Sequence, residues 1–505
     1  MSPLHGGQAS ALVRPLRTGL DPASLYAALS DDGTRADTLL LERSNGPSLL
    51  LDRAAIRVEC RGPEVTVVAL GQNGRNLLDA LAASFADRLL DRSDKQLRLL
   101  FPRKTGLHPR ERLTAPSPFD ALRALVAGLT VRTPEEPFTL AALGVVAFDH
   151  VDLLEELPVP AEDPLGFPDF IFWLAESLVV VEPSGRARAI ATAFGGAVPT
   201  EYPAAERIGE LIARCEAARP LPEPEAASSE PDYRSVDLDD PAFERVVGEM
   251  QGHIGAGEVY QIVPSRTFRA ACPHPFAAFS ALRRRDPSPY HFFVRSPEHL
   301  LLGASPETSV RVTAGEVEVK PIAGTRPRGG TGDEDDRLEA DLRLDGKELA
   351  EHMMLVDLAR NDVAQVSRSG TRRVARLMTV ERYARVMHLV SSVTGRLGHG
   401  LDAVHTLQAC LNVGTLTGAP KLRATQLLRQ AERTKRGPYG GAVGWLNGAG
   451  DMDTAVVIRS AVVRNGTAFV RAGAGVVHDS DPAAEAEETR RKASALLSVL
   501  AGAPR

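Results

Sequence analysis

The sequence predicts an α+β fold built on large antiparallel sheets. Residues 38–70 contain short strand-like runs separated by turns at 44–47 and 62–63, and residues 291–324 contain four more runs in succession. The helical patterns, in contrast, come in blocks that are separate from the strands. Strands that follow one another through short turns, with helices in blocks, favour antiparallel sheets over an alternating parallel architecture.

The N-terminal half begins with what looks like a tail and a first helix. Apolar residues at helical spacing predict further helices, and a strand hairpin is predicted around residues 183–185. The predicted helices of this half are 21–31, 76–90, 120–129 and 201–218.

Residues 219–231 read RPLPEPEAASSEP, a composition with little to bury, which predicts a linker. The sequence thus divides into an N-terminal region at 1–218, a linker at 219–232 and a C-terminal domain at 233–505. In the last part, a long acidic helix is followed by a predicted second helix to about residue 389 and another after 401. Late strands and a closing helix at 482–500 complete the chain.

Composition excludes several classes of protein. The 505 residues are 43% hydrophobic and 25% charged, as in an ordinary globular enzyme, and the formal net charge of −6 gives no basic footprint for nucleic acid. No apolar run is long enough for a membrane span, and the N-terminus lacks an apolar signal core, so a cytoplasmic location is expected. The four cysteines form no close pair, which excludes a zinc knuckle and a redox CxxC motif.

Two pairs of glutamates have the same helical spacing. Glu348 and Glu351 lie three residues apart, and Glu485 and Glu488 repeat the spacing in a helix that begins after Asp481. Residues three apart share one helix face, and a few carboxylate oxygens completed by substrate suit Mg2+. The alternative interpretation is that both pairs lie on helix faces exposed to solvent and bind no metal.

Other segments suit the recognition of an anion. Glycine-bearing turns at 324–329, 414–421, 439–441 and 472–475 allow close backbone approach, yet none forms a Walker loop or a dinucleotide fingerprint. Three single side chains could have either a structural or a chemical role. Arg459 and His388 lie in apolar segments, where Arg459 could form an ion pair or bind an anion, and His388 could be a core residue or transfer protons. Glu307 follows a turn and could be a structural residue or a general acid. Taken together, these residues predict an Mg2+-dependent enzyme that acts on a small polyanion.

The ordered motifs then identify a resemblance that covers nearly the whole chain. It resembles the chorismate-utilising enzyme family, and within it the large components of anthranilate synthases. The resemblance implies a sandwich of large antiparallel sheets with outer helices, in agreement with the fold class predicted from the strand and helix patterns. It also implies a regulatory and partner-binding role for 1–218 and a catalytic role for 233–505. The motifs are QIVPSR (261–266), ASPE (304–307), KPIAGTRPRG (320–329), DGKELAEHMMLVDLARND (345–362), RVMHLVSSVTGRL (385–397), GTLTGAPK (414–421), YGGAVG (439–444), DTAVVIRS (453–460) and RAGAGVVHDSDPAAEAEETRRKA (471–493).

The resemblance implies that chorismate and ammonia give 2-amino-2-deoxyisochorismate, which then loses pyruvate to give anthranilate. Glu307 would be the general acid, His388 would assist the loss of pyruvate, and Thr415 would line the pocket. Mg2+ would bind Glu351 and Glu488, with Glu348 and Glu485 as direct or water-mediated partners. The implied substrate contacts are Gly324, Thr325, Tyr439, Arg459, Gly473, Ala474, Gly475 and Lys492.

Two positions discriminate between reactions within the family. Isochorismate-forming relatives have a lysine where this chain has Gln261, and 4-amino-4-deoxychorismate synthases have a lysine where it has Ala323. Both differences favour ammonia attack at C2. No glutaminase nucleophile motif is present, so a separate glutamine amidotransferase subunit in a hetero-oligomer is expected to supply the ammonia.

The effector site implied by the resemblance departs from the usual pattern. Tryptophan-regulated members read LLES and SPYM, whereas this chain has Arg43 after Glu42, and His291 after Pro289 and Tyr290. A large cation in place of serine predicts weakened tryptophan feedback. Two rival functions remain open: an enzyme that stops at 2-amino-2-deoxyisochorismate, and a non-catalytic regulatory subunit.

Overall fold

The computed structural model describes residues 7–103, 106–160, 162–195, 201–222, 231, 233–383 and 386–501. Within these residues, 22 strands form one continuous and mostly antiparallel network, and two short strands pair separately. The strands are β1 (Gln8–Leu16), β2 (Thr38–Arg43), β3 (Ser48–Arg61), β4 (Glu64–Ala69), β5 (Leu89–Arg92), β6 (Gln96–Leu100), β7 (Thr130–Val131), β8 (Ala141–Val146), β9 (Phe170–Val181), β10 (Ala187–Gly195), β11 (Gln261–Ile262), β12 (Ser265–Ala271), β13 (Tyr290–Arg295), β14 (Leu300–Ser305), β15 (Thr308–Thr313), β16 (Glu316–Val319), β17 (Ile322–Pro327), β18 (Arg373–Arg382), β19 (Val386–Arg396), β20 (Gly418–Ala419), β21 (Ala442–Asn447), β22 (Met452–Val456), β23 (Ser460–Arg464) and β24 (Thr467–Gly473).

Helices cover the outside of this network. Two short 3-10 helices at Phe148–Leu153 and Gly414–Leu416 lie in connections. No helix in the described part of the chain has both the length and the apolar character needed to cross a membrane. The α-helices are α1 (Pro22–Ser30), α2 (Gln72–Ser84), α3 (Pro109–Thr114), α4 (Phe119–Ala127), α5 (Glu201–Ala217), α6 (Asp240–Gly255), α7 (Pro275–Arg285), α8 (Gly332–Leu344), α9 (Gly346–Val366), α10 (Ala403–Cys410), α11 (Lys421–Glu432) and α12 (Pro482–Ala501).

Two long strands, β3 and β9, belong to two sheets at once. Their pairing shifts register between Leu51 and Ile56, and the strands change neighbours there. On one side of the shift they pair with β2 and β10, and on the other side with β4 and β8. One sheet therefore continues from β2 through β13, β14, β23, β24 and β12, and the other from β8 through β21, β22, β15, β16 and β19.

Apolar side chains fill the space between the two sheets and cover both outer faces. Leu39, Phe292 and Val462 of the first sheet share a buried cluster with Leu143 and Val443 of the second. The outer face of the first sheet packs against α1, α5, α7 and α12, and that of the second against α2, α4, α9 and α10. Burial of these faces is the main stabilising contribution and produces a sandwich with outer helices, as predicted.

The chain passes between the sheets at two adjacent points. Residues 306–307 lead from β14 in the first sheet to β15 in the second, and residues 457–459 lead from β22 back to β23. The two crossovers hydrogen-bond to each other: Val456 N donates to Glu307 O at 3.0 Å, and Ala304 N donates to Arg459 O at 3.1 Å. Arg459 adopts a φ of 47°, the left-handed region that a sharp corner requires.

Three of the predicted elements differ from the structure. The predicted N-terminal tail contains β1, the predicted helix at 76–90 ends at Ser84 and gives way to β5, and the predicted second helix to residue 389 is wrong, because β18 and β19 lie there. The apolar residues of 373–396 fit both a helical and an alternating spacing. In the structure, pairing of β19 with β16, β17 and β18 favours the strand over the helix. A short-range sequence pattern cannot show such pairing.

Strand pairing joins the two regions on either side of the predicted linker. β2 pairs with β13, and β8 pairs with β21. Residues 219–222 and 231 are neither helix nor strand, and the rest of the predicted linker, 223–230 and 232, lies outside the described residues. The regions 1–218 and 233–505 therefore share both sheets.

Two helical glycines give a matched test of this packing. A Cβ at Gly74 in α2 would lie 2.0 Å from Ala55 O of β3, whereas a Cβ at Gly209 in α5 meets nothing within 4 Å. We expect Gly74→Ala to destabilise the fold by about 1–3 kcal/mol through overpacking, and Gly209→Ala to stabilise it by up to about 1 kcal/mol through helix propensity. Thermal denaturation of both variants measures the difference, and equal shifts would contradict the close packing of α2 on β3.

Candidate active site

A cavity of about 570 Å³ opens beside the two crossovers. It is enclosed by the crossovers themselves, by β17 and β19, by the ends of β11 and β24, and by the facing sides of α9 and α12. Strand pairing is interrupted at the two crossovers, which lie between β14 and β15 and between β22 and β23, and the cavity lies beside them. The lining includes most of the site residues predicted from the sequence: Glu307, Gly324, Thr325, Glu348, Glu351, His388, Thr415, Tyr439, Arg459, Gly473, Gly475, Glu485, Glu488 and Lys492.

Ala474 differs from its two lining neighbours. Its side chain is fully buried, and its N–H donates to Pro264 O at 3.1 Å. Its predicted contact with substrate stays a prediction.

The four predicted metal-binding glutamates line this one cavity from two helices. Burial and the nearby charge of Glu351 raise the pKa of Glu348. Burial also raises the pKa of Glu485, with a further contribution from Glu488. A carboxylate whose pKa is raised by burial and by a neighbouring carboxylate would be stabilised in its charged form by a nearby cation.

The donor set fits a hard cation, although the glutamates do not form a compact cluster. Among the described residues, no group of three or more His, Cys, Asp or Glu side chains lies close enough together to hold a metal ion. Instead, Gln261 Nε2 donates to Glu351 Oε1 at 3.0 Å, and Lys492 Nζ lies 2.7 Å from Glu488 Oε1. Oxygen ligands from two helices with room for substrate oxygens between them match the way proteins bind Mg2+.

Glu307 has the properties of an acid that is protonated near neutral pH. Burial raises its pKa to about 7, although the hydrogen bond from Thr415 and the charge of Lys492 act in the opposite direction. Thr415 Oγ1 donates to Glu307 Oε1 at 2.9 Å and fixes the carboxyl group in place. A carboxyl with such a pKa can donate a proton at the pH of the cell.

A bulge in β17 positions His388. The register between β17 and β19 shifts between Ala323 and Thr325, and Gly324 takes a φ of 69° there. His388 Nδ1 lies 3.2 Å from Gly324 O and 3.0 Å from Thr325 Oγ1. Because a carbonyl oxygen only accepts, Nδ1 carries the proton and Nε2 keeps its lone pair. Burial also lowers the pKa of His388, which favours the neutral ring.

Cationic and glycine residues form the rest of the wall. Lys492 Nζ donates to Gly473 O at 2.9 Å and so ties α12 to the end of β24. A Cβ at Gly473 would lie 2.7 Å from Pro264 O and 3.0 Å from Tyr439 Oη, so a larger residue does not fit there. Burial raises the pKa of Tyr439 to about 12, which keeps its hydroxyl protonated.

A buried carboxylate, Glu432, holds several segments of the cavity wall in place, and the sequence analysis did not identify it. Glu432 accepts hydrogen bonds from Ser265 N and Oγ, at 2.9 and 2.7 Å, and from Arg436 and Arg471. Burial opposes its charge, yet Arg436 and Arg471 hold the pKa of Glu432 below its ordinary value. Arg436 in turn donates to Leu416 O at 2.6 Å, beside Thr415. Arg436 lies only four residues from Glu432, but Ser265 and Arg471 lie in distant segments, so a short motif could not have shown the whole network.

The predicted effector site lies on the first sheet, away from the cavity. In the β2–β13 pairing, Arg43 lies opposite Tyr290, and Glu42 lies opposite His291. Glu42 accepts two hydrogen bonds from Arg283, at 2.5 and 2.6 Å. Arg43 Nη1 lies 2.5 Å from Asp453 Oδ2, and its guanidinium carbon lies 5.5 Å from the Tyr290 ring centroid.

Comparison with known proteins supplies independent evidence. The model of the chorismate binding enzyme family matches residues 77–498. The chain is 45% identical to anthranilate synthase component 1 of Vibrio cholerae, over 95% of this chain and 94% of that protein. It is 46% identical to the pyocyanine-specific anthranilate synthase component 1 of Pseudomonas aeruginosa, over 91% of this chain and 88% of that protein.

A solved structure agrees with these relatives. The crystal structure of anthranilate synthase component I from Streptococcus pneumoniae superposes with a TM-score of 0.68 at 30% sequence identity. The match covers 90% of this chain and 92% of that one. The fold is therefore shared over most of the chain.

The contact between Thr415 and Glu307 gives a direct test of the acid. Thr415→Val removes the only side-chain hydrogen bond that lowers the pKa of Glu307 among those described, so we expect its titration midpoint to move above about 7. Infrared difference titration of the protonated carboxyl band measures this in the ligand-free protein. Thr415→Ser keeps a hydroxyl and should titrate like the unmodified protein, and an unmoved midpoint in Thr415→Val would contradict the assignment.

Proposed function

The chain belongs to the chorismate binding enzyme family, and on this premise we propose that it is an anthranilate synthase component I. It converts chorismate and ammonia to anthranilate and pyruvate, and so provides the precursor of tryptophan. The observation that carries this function is the placement of a protonated acid, a neutral histidine and two carboxylate pairs around one cavity, next to a glutamine rather than a lysine at position 261.

In the first reaction step, ammonia adds to C2 of chorismate and the C4 hydroxyl leaves. Glu307 is the proton donor that we assign to that leaving group, which departs as water. Its raised pKa keeps it protonated up to about pH 7. Gln261 cannot act as a base toward water, which supports ammonia as the nucleophile.

In the second step, the intermediate loses its C2 proton and its enolpyruvyl group, and an aromatic ring forms. We assign His388 to this step, because the hydrogen bond to Gly324 fixes the proton on Nδ1 and leaves Nε2 as a base. Arg459 and Lys492 supply positive charge for the carboxylates of the substrate. Gly473 and Gly324 allow the backbone to approach it closely.

Mg2+ is the proposed cofactor. Glu351 and Glu488 would hold it, with Glu348 and Glu485 as direct or water-mediated partners. When bound, the ion would neutralise the ring carboxylate of chorismate and make C2 more electrophilic. The raised pKa values of Glu348 and Glu485 support a cation at this position.

A separate glutamine amidotransferase subunit is the proposed source of ammonia. The relatives are named as component 1, which implies a further component. All four cysteines of this chain are buried, and burial raises the pKa of their thiols, so none is suited to act as a glutaminase nucleophile. Free ammonia at high concentration should replace the partner.

Weakened tryptophan feedback is the further proposal for this enzyme. Arg43 lies between Tyr290 and Asp453, and the cavity left beside them measures only about 20 Å³, room for a single water molecule. An indole ring does not fit unless Arg43 moves and breaks its ion pair with Asp453, which would then keep only the hydrogen bond from the Tyr290 hydroxyl. Such an enzyme would suit a specialised pathway, and one relative has a pyocyanine-specific name.

A fluorescence assay for anthranilate tests the function. We expect the purified chain to form anthranilate from chorismate, Mg2+ and excess ammonium, and to form none from glutamine without a partner subunit. His388→Gln should still consume chorismate but accumulate 2-amino-2-deoxyisochorismate, measured by chromatography, because the second step lacks its base. Accumulation of that intermediate by the unmodified enzyme would show instead that its reaction ends there.

Arg43→Ser tests the effector proposal. We expect tryptophan to inhibit the unmodified enzyme poorly and to inhibit Arg43→Ser at least about tenfold more strongly, a difference of about 1.4 kcal/mol in binding. Inhibition curves with ammonium as the nitrogen source measure both. Arg53→Ser, an exposed arginine on β3, is the matched control. Strong inhibition of the unmodified enzyme would contradict the proposal.

A further inference from the structure

A second cavity, of about 240 Å³, shares part of its wall with the active site. Arg459 and His388 line both cavities, and Asp286, Ser288 and Pro289 line the second one. Arg459 thus has the substrate cavity on one side and the connection between α7 and β13 on the other. This placement makes its position sensitive to groups outside the substrate cavity.

Asp286 holds the guanidinium of Arg459 from that outer side. Arg459 Nη1 donates to Asp286 Oδ2 at 3.1 Å. The Arg459 side chain is 37% exposed, whereas that of Asp286 is 12% exposed. Only one nitrogen of the guanidinium is engaged in this contact, so the rest of its planar fork is left for a carboxylate in the cavity.

Asp286 is itself fixed by three contacts. Its backbone N–H donates to Leu282 O at 2.8 Å and ends α7. Its Oδ1 accepts from Ser288 Oγ at 2.7 Å, and its backbone oxygen accepts from His291 Nε2 at 2.7 Å. The position of the Asp286 carboxylate is therefore set by these contacts and not by Arg459, so Arg459 has a fixed partner.

We infer that Asp286 is a positioning residue, which holds Arg459 ready for the substrate carboxylate and thereby sets the affinity for chorismate. The inference rests on the proposed function, because Arg459 binds substrate there. An arginine that is more than a third exposed has many rotamers, and ordering it on binding weakens affinity. The contact with Asp286 orders it before the substrate arrives.

The same contact joins the substrate arginine to the effector region. Asp286 begins the connection that leads into β13, where Tyr290 and His291 lie opposite Arg43 and Glu42. The His291 ring reaches back to the Asp286 backbone oxygen. A displacement of β13 would therefore move the fixed partner of Arg459.

Asp286→Asn is the decisive variant, because it removes the charge and keeps an oxygen for Ser288 Oγ. We expect the KM for chorismate to rise about threefold to tenfold, the range that ordering one such side chain implies. The kcat should stay within about twofold, because Asp286 does not touch the reacting atoms. An unchanged or lowered KM would overturn the inference, and a lowered value would mean that Asp286 competes with the substrate.

Two further variants separate positioning from a general structural role. Ser288→Ala removes one hydrogen bond to Asp286 without changing its charge, and should raise KM less than Asp286→Asn does. In the Arg459→Lys background, Asp286→Asn should add little to KM, because the partner that it positions is gone. Effects that multiply fully in the double variant would overturn the inference. Asp286→Glu keeps the charge and should give an intermediate KM, which provides a second measurement if Asp286→Asn folds poorly.

Failure of this inference and failure of the proposed function give different results. If the unmodified chain makes no anthranilate, the proposed function fails. If anthranilate forms at the same KM in the unmodified chain and in Asp286→Asn, only the positioning role of Asp286 fails.

Discussion

The hydrogen bonds between the two crossovers are the constraint on which the site depends. Val456 and Glu307 on one side, and Ala304 and Arg459 on the other, lock together the points where the chain leaves one sheet for the other. The cavity lies beside these two corners. Since the corners are held in contact, Glu307 and Arg459 lie on the same wall of the cavity.

A second layer of polar contacts keeps that wall rigid. Glu432 receives donors from β12 and from two buried arginines, and one of these also holds the backbone oxygen of Leu416. A buried carboxylate is tolerated there because its hydrogen bonds are satisfied by charged donors. The candidate site residues are thus supported by a buried polar network, of which Arg471 also lines the cavity.

The sequence predicted the fold class correctly, and most of its candidate site residues line one cavity, whereas three of the predicted elements differ from the structure. Glu348, Glu351, Glu485 and Glu488 share a local spacing, and the structure places them on one cavity. The strands β18 and β19 were predicted as a helix, because their apolar spacing is ambiguous and only pairing with distant strands resolves it. Asp286 and Glu432 were missed for a related reason, since each also binds an arginine that is distant in the chain, Arg459 and Arg471 respectively.

The position of α12 after both sheets in the chain has a consequence for biosynthesis. Glu485, Glu488 and Lys492 all lie on this helix, and the facing wall of the cavity lies on α9 and β24. A ribosome can therefore release most of both sheets before any of these three side chains has emerged. The nascent chain can acquire its architecture early, but the wall of the cavity stays incomplete until α12 has emerged.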